Sequence, residues 1–102
     1  MSEHSFTSHL LVSNYNKSGI PRLRVSVTTR DYEFISYNGD VKYLRRMTLK
    51  RANGQVVVMD KPRLSKGITQ GKYTPHYISV SAKEVKKYGF KPKEPVAVHI
   101  EW

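Results

Sequence analysis

Apolar and polar residues alternate with a period of two over several short windows, the pattern of strands that bury one face. The clearest is "RLRVSVT", which sets Leu23, Val25 and Val27 on one side and Arg22, Arg24, Ser26 and Thr28 on the other. An earlier window, Phe6 to Val12, aligns Phe6, Ser8, Leu10 and Val12. "VKYLRRMTLKR" aligns Val41, Tyr43, Met47 and Leu49 against Lys42, Arg46, Thr48 and Lys50, with Arg45 out of step as at a bulge. "VAVHIEW" gathers Val96, Val98, Ile100 and Trp102. Asn53-Gly54, between two such windows, predicts a hairpin over residues 47–59 closed by a two-residue type I′ turn.

Two of these windows run into short helices. Thr28-Thr29-Arg30-Asp31 and Ser81-Ala82-Lys83-Glu84 each place a hydroxyl at the cap and an acid three residues on, which satisfies two free amides reciprocally. Val27 with Tyr32, and Val80 with Val85, stand as the flanking apolar staples. The first helix is expected to stop before an Asn38-Gly39 turn and the second at Gly89. On the second, Ala82, Val85 and Tyr88 share one side, while Lys83, Lys86 and Lys87 point elsewhere.

The two boxes lie 53 positions apart, and each is followed by another strand. Half-repeats over about 20–50 and 75–102, each strand, short helix, strand, therefore suggest an internal duplication; two chance boxes are the alternative. The expected fold is mainly β with two short helices (α+β), a small antiparallel barrel or a swapped-hairpin-like domain. Residues 1–6 read as a loose tail and 7–102 as a single domain. Residues 14–21 read as a turn-rich loop, and residues 60–75 as a long basic loop without a period.

Composition narrows the function. Eighteen Lys and Arg against eight Asp and Glu give a net charge of +10, a field that favours polyanionic partners over a merely solvated basic surface. The absence of cysteine excludes disulfides and thiolate metal sites. No long apolar run asks for a membrane, and a cytoplasmic location is expected. No cofactor is called for. "GITQGKY" falls short of a P-loop, because three residues rather than four separate Gly67 from Gly71 and Tyr73 stands at the hydroxyl position. His4, His9, His76 and His99 are scattered singly, without close carboxylates in sequence, so neither a metal site nor an enzyme is expected.

Residues 76–102, "HYISVSAKEVKKYGFKPKEPVAVHIEW", resemble the second half of the swapped-hairpin DNA-binding domain of AbrB-like regulators and MazE-like antitoxins. Tyr88-Gly89-Phe90-Lys91-Pro92 matches the start of that family's turn, and Lys83, Lys86 and Lys87 match its basic helix. Ser81 replaces the family's usual proline, and Lys93-Glu94 replaces its Gly-Asp. The resemblance implies an interlocked dimer, or a pseudo-dimer of the two halves, that contacts DNA through basic strand and helix-end residues.

The basic strand faces are the main candidate site. Side chains two apart on a strand are about 6.6–6.8 Å apart, near the spacing of phosphates along a nucleic-acid strand. Arg22 and Arg24 on one strand and Lys42, Arg46 and Lys50 on another would form one ladder if those strands pair. Arg30, Arg51, Lys83, Lys86 and Lys87 extend it, and Arg63, Lys66, Lys72 and Tyr73 supply a loop clamp. Tyr43 reads as half-buried packing, whereas Tyr37, Tyr73 and Tyr77 remain open between packing and base stacking. The expected function is nucleic-acid binding, DNA before RNA, as a transcriptional regulator and possible homodimer. An RNA-binding or ribosome-associated factor, and a module docking an acidic protein, are the alternatives.

Overall fold

The structure, a computed structural model, describes residues 2–37, 39 and 41–102. Among these described residues, seven strands and two helices follow one another as β1 (Glu3–Tyr15), β2 (Pro21–Val27), α1 (Thr29–Ile35), β3 (Arg46–Arg51), β4 (Val56–Asp60), β5 (Leu64–Lys66), β6 (His76–Val80), α2 (Ala82–Tyr88) and β7 (Pro95–Glu101). All pairings are antiparallel, in the order β4-β3-β7-β1-β2-β6-β5, and the sheet curls into a half-barrel. The mainly β, two-helix architecture expected from the alternation is the one formed.

The long strand β1 joins two half-sheets. Its N-terminal part pairs with β7, and its C-terminal part with β2. Period-two alternation then turns one face of every strand inward. Leu10, Val25, Ile78 and Leu64 make one continuous buried row across β1, β2, β6 and β5. Val57, Leu49 and Val98 make another across β4, β3 and β7, with half-buried Phe6 of β1 beside it.

Strand pairing follows the repeat. Val25 faces Ile78 at the centre of the β2–β6 ladder, and Met47 faces Ile100 within the β3–β7 ladder; both pairs are 53 positions apart in sequence. The strands of one half thus pair with their own counterparts in the other, as a pseudo-two-fold arrangement requires. The helices obey the same interval, with caps at Thr28 and Ser81. In the second half the counterpart of β1 is broken into β4 and β5. The break falls at Lys61, which adopts a φ of 50°, and at Pro62, which has no amide to donate.

Several local expectations are corrected. Residues 3–6 are no tail: they pair with residues 98–101 of β7. The stretch 60–75 is not a long free loop, since it holds β5 with buried Leu64, and Gln70 and Tyr73 close a tight turn by exchanging backbone bonds at 2.8 and 3.0 Å. The β3–β4 hairpin forms, but with a three-residue loop. Gly54 has a φ of 88°, Asn53 is not left-handed, and the Gly54 amide donates to the Arg51 carbonyl at 3.0 Å. A type I turn followed by a left-handed glycine fits this better than a type I′ turn.

Tyr43 does not pack. It is 67% exposed, and Leu44 is buried in its place, because the chain is irregular before Arg46 and the strand alternation starts only there. The second capping box is complete, whereas the first is one-sided. The Asp31 amide donates to the Thr28 hydroxyl oxygen, but the Asp31 carboxylate accepts from the Thr28 hydroxyl at 2.6 Å and meets His4 Nε2 at 2.8 Å. Gly89 ends α2 in the left-handed conformation, φ 68°, as expected. The expected turn at Asn38-Gly39 involves Asn38, which lies outside the described residues.

Candidate nucleic-acid interface

β2 and β3 are separated in the sheet by β1 and β7, so the single ladder from Arg22 to Lys50 does not form. The basic residues fall instead on two surfaces of different character. On the β4-β3-β7-β1 half, Arg46 stands across from Asp60 on one side and Glu101 on the other, and Glu101 stands across from Glu3. Arg45 donates to Glu101 at 2.9 Å. That hydrogen bond, more than the charges of Arg46 and His99, holds the Glu101 carboxyl below its usual value. Lys50, further along the same face, lies opposite Val56 and Ala97. Acids thus neutralise much of this surface.

The other half-sheet is different. Residues 4–30 and 61–83, which build β2, β5, β6, the C-terminal part of β1 and their connections, contain nine Lys and Arg and no Asp or Glu. Leu23, Val25 and Val27 turn into the core, so the pleat forces Arg22, Arg24 and Ser26 onto the outer face. The guanidinium of Arg24 lies 5.6 Å from the Tyr77 ring centre, within cation–π range. Ser79 is opposite Arg24, and Ser65 and Ser26 flank Tyr77. The result is a carboxylate-free patch with two guanidinium groups, Arg24 beside an aromatic ring, suited to phosphate oxygens.

The other basic residues lie on other elements and turns. Lys17 sits in the β1–β2 turn, while Lys66 ends β5 and Arg63 precedes it. Lys72 and Tyr73 occupy the tight turn after β5. Arg30 is exposed on α1, and Lys83, Lys86 and Lys87 are exposed on α2, with the Lys87 ammonium 5.2 Å from the Tyr88 ring centre. Lys42 is exposed in the irregular run before β3.

Arg51 is not free to bind a ligand. Its Nε and Nη2 grip Glu94 at 2.6 and 2.9 Å, and its Nη1 donates to the Tyr88 carbonyl at 2.6 Å and to Gln55 at 2.8 Å. It also lies 4.8 Å over the Phe90 ring. Arg51 therefore satisfies the carbonyl end of α2 and locks it to the β3–β4 hairpin. The sequence reading counted it among the basic ladder because nothing in the local sequence shows its pairing with Glu94.

Two histidines do have carboxylate neighbours, contrary to their scatter in sequence. His4 meets Asp31, and His99 Nε2 lies 3.5 Å from Glu3 and 3.8 Å from Glu101. Glu3, His99 and Glu101 bring potential ligand atoms within 4.8 Å of one another. Arg45 already occupies Glu101, and Ser5 shares a 2.6 Å hydrogen bond with His99 Nδ1, so this cluster reads as an ion-pair network. Among the described residues, no helix is long and apolar enough to cross a membrane. Compared with protein-family models, curated proteins and solved structures, the chain matches none.

Proposed function

We propose that this protein binds nucleic acid, as a DNA-binding regulator in the cytoplasm, through the outer face of β2 and β6. The observation that carries this reading is the carboxylate-free half-sheet bearing Arg22 and Arg24, the latter backed by Tyr77. A uniform basic surface would have spread the acids as well as the bases, but here the acids of the sheet gather on the opposite half. Strands of the two halves pair with one another within one chain, which supports one copy per site.

Filter binding or fluorescence anisotropy over a range of ionic strengths tests it. With about five phosphates neutralised, log affinity for duplex DNA should fall with log salt with a slope of roughly −4.5. A salt-independent affinity would sink the reading. Exposed Tyr15, Tyr43 and Tyr73 favour a second form of the same function, the stacking of unpaired bases in RNA or single-stranded DNA. Competition among duplex DNA, single-stranded DNA and RNA separates the two. Capture of one stoichiometric acidic protein after nuclease treatment, with no nucleic-acid affinity, would replace both.

A further inference from the structure

The two halves end their helices differently. α2 stops at Gly89, whose φ of 68° turns the chain back, and Phe90 after it is buried. The counterpart of Gly89, 53 positions earlier, is Ser36 with a φ of −90°, and Tyr37 after it is left 86% exposed. A cleft of about 480 Å³ opens there, lined by Ser2, Glu3, Phe34, Ile35, Tyr37 and Trp102. Three of these are aromatic, and Glu3 is the one charged side chain among the described residues that line it. Phe34 stacks on the His4 ring 4.4 Å away and is still 56% exposed.

In the second half the corresponding place is filled. The counterparts of Ser2, Ile35 and Tyr37 are Gln55, Tyr88 and Phe90. The Arg51 guanidinium meets all three: it donates to the Gln55 side chain at 2.8 Å and to the Tyr88 carbonyl at 2.6 Å, and it lies 4.8 Å from the Phe90 ring centre. A guanidinium is therefore the group that this fold already seats at the end of one helix. Glu94, which holds Arg51, has Val41 as its counterpart, and the first half supplies a carboxylate from Glu3 instead, at the place of Val56. The Glu3 side chain is 71% exposed and lies 3.5 Å from His99 Nε2, which leaves it room to accept from a further donor. The Ser36 carbonyl, counterpart of that of Gly89, already accepts from the Gly39 amide at 2.9 Å, so the cleft offers a ligand aromatic side chains and a carboxylate.

We propose that this cleft binds a guanidinium group, as carried by an arginine side chain. The planar cation lies against the aromatic side chains and donates to Glu3, the two kinds of contact that Arg51 makes with Phe90 and Glu94 in the other half. The volume exceeds what a guanidinium needs and admits the carbon chain that carries it. None of the lining residues belongs to β2 or β6, so the cleft is separate from the basic face proposed for nucleic acid. An arginine on a partner protein and a small guanidinium compound offer the same chemistry to it.

Trp102 is the only tryptophan, so the intrinsic fluorescence of the whole chain reports on the cleft. The probe is Nα-acetyl-arginine amide, titrated at constant ionic strength against its neutral isostere Nα-acetyl-citrulline amide and against Nα-acetyl-lysine amide. The expected result is a saturable change with the arginine probe and weaker binding of the other two. Glu3→Gln and Tyr37→Leu, both at exposed positions, should each weaken the arginine probe about threefold, as loss of one exposed ion pair or cation–π contact does. Tyr37→Phe keeps the ring and should bind like the parent. R22A/R24A should leave binding of the probe unchanged even if it abolishes nucleic-acid binding. Free arginine, which carries a carboxylate of its own, then assigns the source: a preference for the amide points to a residue within a partner chain, equal or tighter binding of the free amino acid to a small compound. No saturable change with the arginine probe would overturn the proposal, as would citrulline or lysine probes that bind equally well, or undiminished binding in E3Q/Y37L.

Discussion

Replacing Arg51 by alanine tests the part of the structure that sequence reading placed wrongly. The Arg51 and Glu94 side chains are 11% and 13% exposed, and their two hydrogen bonds of 2.6 and 2.9 Å form a bidentate pair. Deleting one member of such a pair leaves the other charge buried and uncompensated, at a cost of about 3–5 kcal/mol. Glu94 keeps one donor, the Lys91 amide at 3.1 Å, so the lower end applies. At about 4–8 °C per kcal/mol for a chain of this size, a loss of about 3 kcal/mol lowers Tm by roughly 12–24 °C. Urea unfolding followed by circular dichroism gives the same quantity at constant temperature. The double variant R51A/E94A should be less destabilised than the sum of the singles, with a coupling of roughly 1–3 kcal/mol. Additive singles, or a loss in R51A below about 1 kcal/mol, would refute the assignment of Arg51 to the clasp between α2 and the β3–β4 hairpin.

Other outcomes follow from the same structure. Arg22→Ala and Arg24→Ala should each reduce the salt slope of nucleic-acid binding by about 1 and leave Tm nearly unchanged, read by anisotropy and calorimetry. Burial of His76, and then the charge of Lys66, hold its pKa below 6.5, while the Thr74 carbonyl works against them. The unfolded chain therefore binds this proton first, so the contribution of His76 to stability is complete above about pH 6.5 and is lost as pH falls through the lowered value. Tyr32, Lys42 and Lys66 are the titratable groups lining a small cavity beside it. Urea midpoints across that range should fall toward acid pH, and less steeply in His76→Leu. Ser81→Ala removes the hydroxyl arm of the complete capping box, leaving the backbone amide of residue 81 on the Glu84 carboxylate, and should cost about 1 kcal/mol by urea unfolding. Gly89→Ala meets no neighbour within 4 Å but must hold a φ of 68°, so it should cost about 1 kcal/mol through strain alone.

Much of the fold could be read from local pattern. The inward residues of β2, β6 and β7, the complete cap of α2, its Gly89 stop and the interval of 53 positions between the halves were all legible, because each depends on neighbours along the chain. The candidate site was legible only in part. Arg22 and Arg24 had to face outward once Leu23 and Val25 faced in, but no alternation shows that Arg24 will lie over Tyr77. Nor does it show that Leu44 rather than Tyr43 will be buried.

What the sequence determined by itself was the inventory: strands with one apolar face, two short capped helices, two long acid-free segments and a large positive charge. These follow from backbone geometry and covalent order, which act over a few residues. Only the tertiary structure decided which strands became neighbours. Pairing β2 with β6 and β3 with β7 brought the acid-free segments into one half-sheet, gave Arg51 to Glu94, and set His76 beneath Tyr32. Those contacts join residues far apart in the chain, and they form because burying both halves against each other removes more apolar surface from water than either could alone.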